Sequence, residues 1–291
     1  MFVQSNTVRA VKEYFRDRLS ALLSESEIRQ VLNHALQVRL NLSRADMLLA
    51  DDIRLSESDL LHFRSIVKRL QANEPAQYIF GDTLFAGLVI RCDPRALIPR
   101  PETEELVEWI SAETDPEANH RILDVCTGTG CIALALKNAL PGSEVHALDL
   151  SSEALALAGE NIKSLKLDVK LHAQDALQSP ESWPFEKESL DIIVSNPPYI
   201  PEEDKARMHA NVLEFEPEMA LFVSDENPLV FYEAIARAAK SLLKSEGKLF
   251  FELHEHFSRE TLELIQSLGF RDVEIKLDLQ GKKRMLKAIR E

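Results

Sequence analysis

Apolar side chains recur every three or four positions near the start of the chain, through Val8, Val11, Tyr14, Phe15, Leu19 and Leu22. That is the spacing of one helical face. Ser24 with Glu27, and more loosely Ser56 with Asp59, stand where a hydroxyl and an acid can cap a first turn reciprocally. The pattern predicts helices near 4–22, 24–38, 43–50 and 56–72, with connections short enough for a small antiparallel bundle. The rhythm changes at 78–92. Apolar residues Tyr78 to Phe80, Leu84-Phe85 and Leu88 to Ile90 are broken by Gly81 and Gly87, which predicts a hairpin-like connector.

From residue 121 short apolar runs alternate with amphipathic stretches. Strands are expected at 121–125, 144–150, 169–174, 190–195, 247–253, 270–278 and 283–290, and helices at 102–112, 130–139, 151–164, 227–244 and 257–268. Such alternation implies an α/β domain with a mostly parallel sheet covered by helices on both faces. The last two strands are joined around Gln280-Gly281 with no room for a crossover helix, so they must be antiparallel neighbours. The expected organisation is a helical domain at 1–75, a hairpin linker at 76–95 and a seven-stranded doubly wound domain at 96–291.

Composition narrows the class. Hydrophobic residues make up 45% and charged residues 28%, so the chain can bury a globular core. No apolar run approaches the ~18 residues of a membrane span. Met1 to Phe15 is polar and mixed in charge, unlike a signal peptide, and a cytoplasmic enzyme is expected. The net charge is −14; the first 90 residues carry eleven basic and eleven acidic side chains, so the deficit lies beyond them. Proteins that wrap duplex DNA usually present a basic surface, which counts against that partner. Cys92, Cys126 and Cys131 are odd in number and lack metal-ligand spacing, so they are read as reduced, buried thiols.

Two motifs carry chemistry. Strand 121–125 runs into Cys126-Thr127-Gly128-Thr129-Gly130 and then a helix. The glycines allow a tight turn and a close backbone approach to a ligand, while the missing third glycine of the dinucleotide pattern disfavours a pyrophosphate. The next strand ends in Asp149, placed to accept from both ribose hydroxyls of a nucleoside cofactor; a simple helix cap is the plainer alternative. Gln174-Asp175 ends the third strand, where an adenine amino group can be met. The fourth strand runs into Asn196-Pro197-Pro198-Tyr199. A planar amide nitrogen is a poor nucleophile because its lone pair is delocalised. Asn196 Oδ1 and the Pro197 carbonyl can accept its two hydrogens, the prolines stiffen the turn, and Tyr199 offers a flat wall. Methyl transfer then needs chiefly alignment at ~3 Å. Ordinary loop punctuation is the plainer reading of the same four residues.

Other features weigh less. His254-Glu255-His256 lacks the convergent ligands of a metal site. Lys282-Lys283-Arg284 reads as a solvated turn. Glu252 ends the fifth strand and is either structural or at the site's border. Glu102 is either a first-turn acid favoured by the helix dipole or part of the substrate pocket.

With these residues in hand, the chain resembles the HemK/PrmC family of peptide chain release factor glutamine N5-methyltransferases over nearly its whole length. Besides Asn196 to Tyr199, the resemblance rests on Glu74-Pro75-Ala76-Gln77-Tyr78-Ile79-Phe80-Gly81, on Ile98-Pro99-Arg100-Pro101-Glu102-Thr103-Glu104 and on Glu216-Pro217-Glu218-Met219-Ala220-Leu221. Asn-Pro-Pro-Tyr alone is shared with adenine-N6 DNA methyltransferases; the Arg100 to Thr103 block is more specific. The resemblance implies a Rossmann-like class I methyltransferase domain behind a helical substrate-recognition domain and a hairpin linker. It also implies S-adenosylmethionine as cofactor, S-adenosylhomocysteine as product, and the Gly-Gly-Gln glutamine of class I release factors as acceptor, with no metal. Cys126, Thr127, Gly128, Thr129, Gly130, Asp149 and Asn196 are the implied cofactor contacts, joined by Asp175 from the strand-end reading and by Ala176, kept as a wall position. Asn196, Pro197, Pro198 and Tyr199 would receive the glutamine, with Glu102 beside them, and Asn196, Pro197 and Tyr199 form the expected catalytic set.

Two departures stand out: Cys126 where the family usually has glycine, and Ala176 where many relatives carry a large residue. An adenine-N6 nucleic-acid methyltransferase would call for a basic recognition region, which the acidic sheet domain and neutral helical domain do not supply. A non-catalytic cofactor-binding module is opposed by the intact Asn196, Pro197 and Asp149.

Overall fold

A computed structural model of the chain describes residue 3, residues 5–43 and residues 45–291. By contact the chain separates into two units. One is formed by residues up to Gly81 together with Ala210–Phe215, the other by Asp82–His209 and Glu216–Glu291.

The first unit is helical. Its main helices are α1 (Val8–Leu19), α2 (Glu25–Leu40), the short α3 (Asp46–Leu49) and α4 (Glu57–Gln71). Ser24/Glu27 and Ser56/Asp59 both close reciprocal capping boxes, each satisfying two backbone N–H groups that a helix start leaves open. The apolar stripes Val8, Val11, Phe15, Leu19 and Leu60, Phe63, Val67, Leu70 meet in one core. Phe15 and Phe63 pack edge to face there, 6.3 Å apart. The expected helix starts at residue 4 and across residue 44 fall outside the described residues. Tyr78 to Phe80 do not enter a hairpin. They belong to α5 (Ala76–Phe80), which follows Pro75 and stops at Gly81, whose φ of +81° suits glycine. The helix turns Tyr78 inward and lays Ile79 and Phe80 on the unit's core, a burial that consecutive strand positions could not give on one face.

The second unit begins with an antiparallel hairpin, β1 (Asp82–Phe85) and β2 (Leu88–Arg91). Helix α6 (Pro101–Ala112) follows, then β3 (Arg121–Val125), α7 (Cys131–Ala139), β4 (Glu144–Asp149), α8 (Ser152–Leu165), β5 (Val169–Ala173) and β6 (Leu190–Ser195). Among the described residues these strands join a seven-stranded sheet completed by β9 (Leu243–Glu252), β10 (Phe270–Leu277) and β11 (Lys283–Arg290), in the order β10-β11-β9-β6-β3-β4-β5. All neighbours are parallel except β11, antiparallel to both β9 and β10. Side chains alternate between the faces. Phe250 packs on Trp109 of α6 on one face, and Phe251 packs on Tyr232 of α10 (Val230–Leu242) on the other. Helix α11 (Ser258–Ser267) adds Ile265 to the second face. Among the described residues no helix is long and apolar enough to cross a membrane.

The stretch 196–226 carries elements that its sequence does not announce. Ile200–Pro201 (β7) pairs in parallel with Phe222–Val223 (β8), and α9 (Ala210–Phe215) lies between them. Two-residue strands are too short for a periodic signal. Strand β9 also starts at Leu243, earlier than expected, because the chain leaves α10 directly into extended backbone.

Asn161 of α8 is fully buried. Its Oδ1 accepts from the Arg91 N–H at 2.8 Å, and its Nδ2 donates to the carbonyls of Arg91 and Thr129 at 3.2 and 3.0 Å. One amide thus ties the hairpin to the loop after β3. Asn161→Ala strands these groups without partners, and its cost is expected at about 2–3 kcal/mol. The measurement is urea unfolding; a loss below about 0.5 kcal/mol would show that the tie carries little.

Candidate active site

Strand register brings the site together. Val125 pairs with Leu148 on one side and Ser195 on the other, and Ser195 pairs with Phe251. One residue beyond this row lie Cys126, Asp149, Asn196 and Glu252, from four different strands. Ser195 pins the row by donating its hydroxyl to the Val125 carbonyl at 2.7 Å. The row opens at the carboxyl ends of the strands, on either side of β3 where the strand order reverses, the usual ligand crevice of an open α/β sheet.

The loop after β3 is shaped by two acids. Asp124 is wholly buried. Its Oδ2 accepts from Thr127 Oγ1 at 2.5 Å and from the Ala133 N–H at 3.2 Å, while Oδ1 has no partner. Burial pushes its carboxyl up to about 7. Asp149 accepts from the Gly128 N–H and the Ser151 N–H, both at 2.9 Å, and burial raises its carboxyl too. Cys126, Gly128 and Gly130 all have positive φ, at +61°, +54° and +81°. At Cys126, which has a Cβ, that conformation costs about 1–2 kcal/mol. Its side chain packs on the core, and burial holds the thiol well above its ordinary value. A Cβ at Gly130 would come within 3.3 Å of Ala158 Cβ.

On the other side of β3, Asn196 Nδ2 donates to Thr103 Oγ1 at 3.2 Å, and Thr103 Oγ1 donates to Glu252 Oε2 at 2.6 Å. Tyr199 donates its hydroxyl to Glu252 Oε1 at 3.0 Å. Glu252 is 2% exposed; burial raises its carboxyl, against the pull of these two donors.

Cys126, Thr127, Gly128, Thr129, Asp149, Asp175, Ala176, Asn196 and Pro198 all line one cavity of about 1080 Å³, measured with its open mouth. Gly130, Pro197, Tyr199 and Glu102 are not among its walls. Gly130 instead starts α7 beneath the loop. Tyr199 turns its hydroxyl inward to Glu252, and its ring meets His254 edge-on, 5.8 Å away. Glu102 accepts from Gln280 Nε2 at 3.4 Å, toward the terminal hairpin. Leu177, beside the small Ala176, supplies apolar wall of its own. His254 Nδ1 accepts from the His256 N–H, and no group of three or more His, Cys, Asp or Glu among the described residues is placed to hold a metal ion.

Sequence reading gave no role to Asp124, Thr103 or Glu216, although the last two stand in blocks noted above. Thr103 left a signal: it continues the buried stripe Leu106, Val107, Ile110 of α6, where a hydroxyl needs a partner. Glu216 left none. Its side chain is 1% exposed, accepts from the Ile98 N–H at 3.0 Å and pairs with Arg100 at 2.5 Å. Two of the sequence blocks noted above are thereby locked together, with Ile98, Pro99, Arg100, Pro217, Met219 and Ala220 forming cavity wall. Arg100 is about one-third exposed, so Glu216→Ala is expected to cost only about 1–2 kcal/mol. It should open the 199–221 segment to protease about tenfold faster, with unchanged cleavage elsewhere. An unaltered cleavage rate in 199–221 would show that the ion pair does not hold that segment.

Known proteins match this architecture. The methyltransferase small domain family matches residues 102–215, and the PrmC N-terminal domain family matches residues 12–81. The chain is 38% identical to the release factor glutamine methyltransferase of Flavobacterium psychrophilum, covering 96% of this chain and 98% of that protein. It is 41% identical to that of Bacteroides thetaiotaomicron, covering 96% and 99%. Among solved structures, a methyltransferase from Pyrococcus furiosus aligns with a TM-score of 0.51 at 20% identity, over 70% of this chain and 89% of that one, a likeness of fold alone. On sequence identity sustained over nearly its full length, the chain belongs to the release factor glutamine methyltransferase family.

Proposed function

We propose that the chain transfers a methyl group from S-adenosylmethionine to the N5 side-chain nitrogen of the glutamine in the Gly-Gly-Gln motif of class I release factors. The observation that carries this reading is that Asn196 shares one cavity with the loop Thr127 to Thr129 and with Asp149, in a chain whose relatives bear that activity's name.

The cavity residues fit the cofactor. Each oxygen of Asp149 accepts one backbone N–H and keeps a lone pair for a ribose hydroxyl. Asp175 engages the Leu177 N–H through Oδ1 and offers Oδ2 to an adenine amino group. Ala176, Leu150 and Leu177 give the flat base apolar walls. When bound, S-adenosylmethionine supplies an electrophilic methyl group on a sulfonium and departs as S-adenosylhomocysteine. Asn196 Oδ1 and the Pro197 carbonyl accept the two hydrogens of the glutamine amide and leave its lone pair aimed at that methyl. As the new carbon–nitrogen bond forms, one of these hydrogens departs as a proton to water, so an N–H is exchanged for an N–CH3. On this reading no step calls for a metal or a covalent intermediate. The helical unit holds another part of the release factor and so raises the local concentration of the loop. Release factors work on ribosomes, so the enzyme acts in the cytoplasm, and neither membrane nor duplex DNA is its substrate surface.

Two variants test the assignment. Asp149→Ala loses charge-assisted hydrogen bonds of about 1.5–3 kcal/mol each, so calorimetry should show S-adenosylmethionine bound at least tenfold more weakly. Unchanged affinity would remove Asp149 from the cofactor site. Asn196→Ala is expected to lower kcat about a hundredfold, as for loss of one preorganised polar contact at a reacting group, with a smaller effect on cofactor binding.

The substrate is tested with labelled cofactor offered to an intact release factor, a short Gly-Gly-Gln peptide and adenine-containing duplex DNA. Label should enter the release factor efficiently, the peptide poorly and the DNA not at all. Label on adenine with none on the release factor would make the nucleic-acid alternative correct.

A further inference from the structure

We propose that Glu252, acting through Thr103, decides which way the side-chain amide of Asn196 faces, and thereby makes Asn196 an acceptor toward the substrate. The inference rests on the reading above, in which Asn196 takes a hydrogen from the glutamine amide. An asparagine side chain presents a donor on one side and an acceptor of nearly the same shape on the other, so its partners decide which way it lies. Thr103 Oγ1 carries a single hydrogen, and 2.6 Å away stands Glu252 Oε2. An ionised carboxylate only accepts, so that hydrogen is committed to Glu252. Thr103 then has only lone pairs to offer Asn196, 3.2 Å away, and must receive its NH2 group. Asn196 Oδ1 is left facing away from Thr103, free for the substrate amide.

The same carboxylate takes the Tyr199 hydroxyl on its second oxygen. It therefore anchors the Asn-Pro-Pro-Tyr turn at both ends, once through Thr103 and once directly. Glu252 and Tyr199 are not cavity walls, whereas Thr103 and Asn196 are. Glu252 and Thr103 are accordingly positioning residues. Were Glu252 to gain a proton, it could donate to Thr103, Thr103 could donate to Asn196, and the amide could turn over to present NH2 where the reaction needs oxygen.

The groups around Glu252 are few. Thr103 and Glu102 come from α6, Tyr199 from the turn after β6 and Arg284 from β11; Arg284 favours the charged form and Glu102 opposes it. Tyr232 of α10 donates to the Glu252 backbone carbonyl, at 3.1 Å, rather than to its side chain.

The experiment compares Glu252→Gln, Thr103→Val and Thr103→Ser for kcat, for KM of an intact release factor, for S-adenosylmethionine affinity by calorimetry and for the pH profile of kcat. Glu252→Gln keeps the shape but places an NH2 group beside Thr103 or Tyr199. It and Thr103→Val should each lower kcat at least tenfold while cofactor affinity stays within about threefold, and Thr103→Ser should recover most of the loss. Wild-type kcat should fall toward acid pH as Glu252 is protonated. Part of that fall should vanish in Glu252→Gln, while any part due to Asp124 or Asp149 persists.

Wild-type kcat in Glu252→Gln and Thr103→Val would overturn the inference, and so would equal losses in Thr103→Val and Thr103→Ser. A matching loss of cofactor affinity would overturn it as well, by pointing to a general structural role. If Glu252→Gln fails to fold, the contrast between valine and serine at 103 still decides. Asn196→Ala separates the two levels: normal turnover there sinks the underlying reading, whereas its loss alongside unaffected Glu252 and Thr103 variants sinks only this inference.

Discussion

The structure depends on the register of parallel strands across β4, β3, β6 and β9. Val125, Leu148, Ser195 and Phe251 form one row, so the residues just beyond it are brought side by side from distant positions in the chain. A parallel sheet buried on both faces has little tolerance for slippage, because a shift of one residue exchanges the faces on which side chains lie. A shift of β6 against β3 would carry Asn196 away from the loop after β3 and separate Ser195 from the carbonyl it caps. Phe250 and Phe251, committed to opposite helix layers, resist the same shift in β9.

One residue to either side of that row stand three buried acids. Asp124, Asp149 and Glu252 each lose hydration, and in each case burial drives the carboxyl upward. Their partners are mostly neutral N–H and O–H groups rather than cations, so these acids are poor contributors to stability. What they supply is direction. Asp124 draws Thr127 and the start of α7 together, Asp149 holds Gly128, and Glu252 collects Thr103 and Tyr199. Fixed acceptors at strand ends order the surrounding donors, and the donors shape the loops. Cys126 fits the same scheme: its strained backbone is tolerated because Asp124 and Asp149 hold the loop and its side chain gains core contact.

The cavity's outer wall is built differently. It comes from chain segments without long periodic elements, 95–100 and 217–220, joined by the buried Glu216 and its pairing with Arg100. A wall hung on one ion pair and one backbone hydrogen bond can open at modest cost, whereas the row beneath it cannot. In the chain 210–215 groups with the helical unit, while Asn196 and Glu216 belong to the sheet unit.

Much of this was legible in the sequence, for local physical reasons. Serine and acid three residues apart start α2 and α4 because the hydrogen bonds involved lie within one turn. Apolar runs of five or six residues mark buried parallel strands, and the short link at Gln280-Gly281 forces an antiparallel pair. The loop Cys126 to Gly130, Asp149 and Asn196 were open to reading because each ends a strand or follows directly on one. Periodicity misled at Tyr78 to Phe80, where Pro75 and Gly81 bracket a helical turn, and was silent across 200–223, where the elements are too short to repeat. The partners of the polar groups were beyond the sequence altogether. Thr103 meets Glu252 across 149 positions and Arg100 meets Glu216 across 116. Propensity and spacing act over a few residues and determine which elements form; the choice of partner for each buried hydroxyl, amide and carboxylate is made by sheet register and helix packing, which only the folded chain brings about.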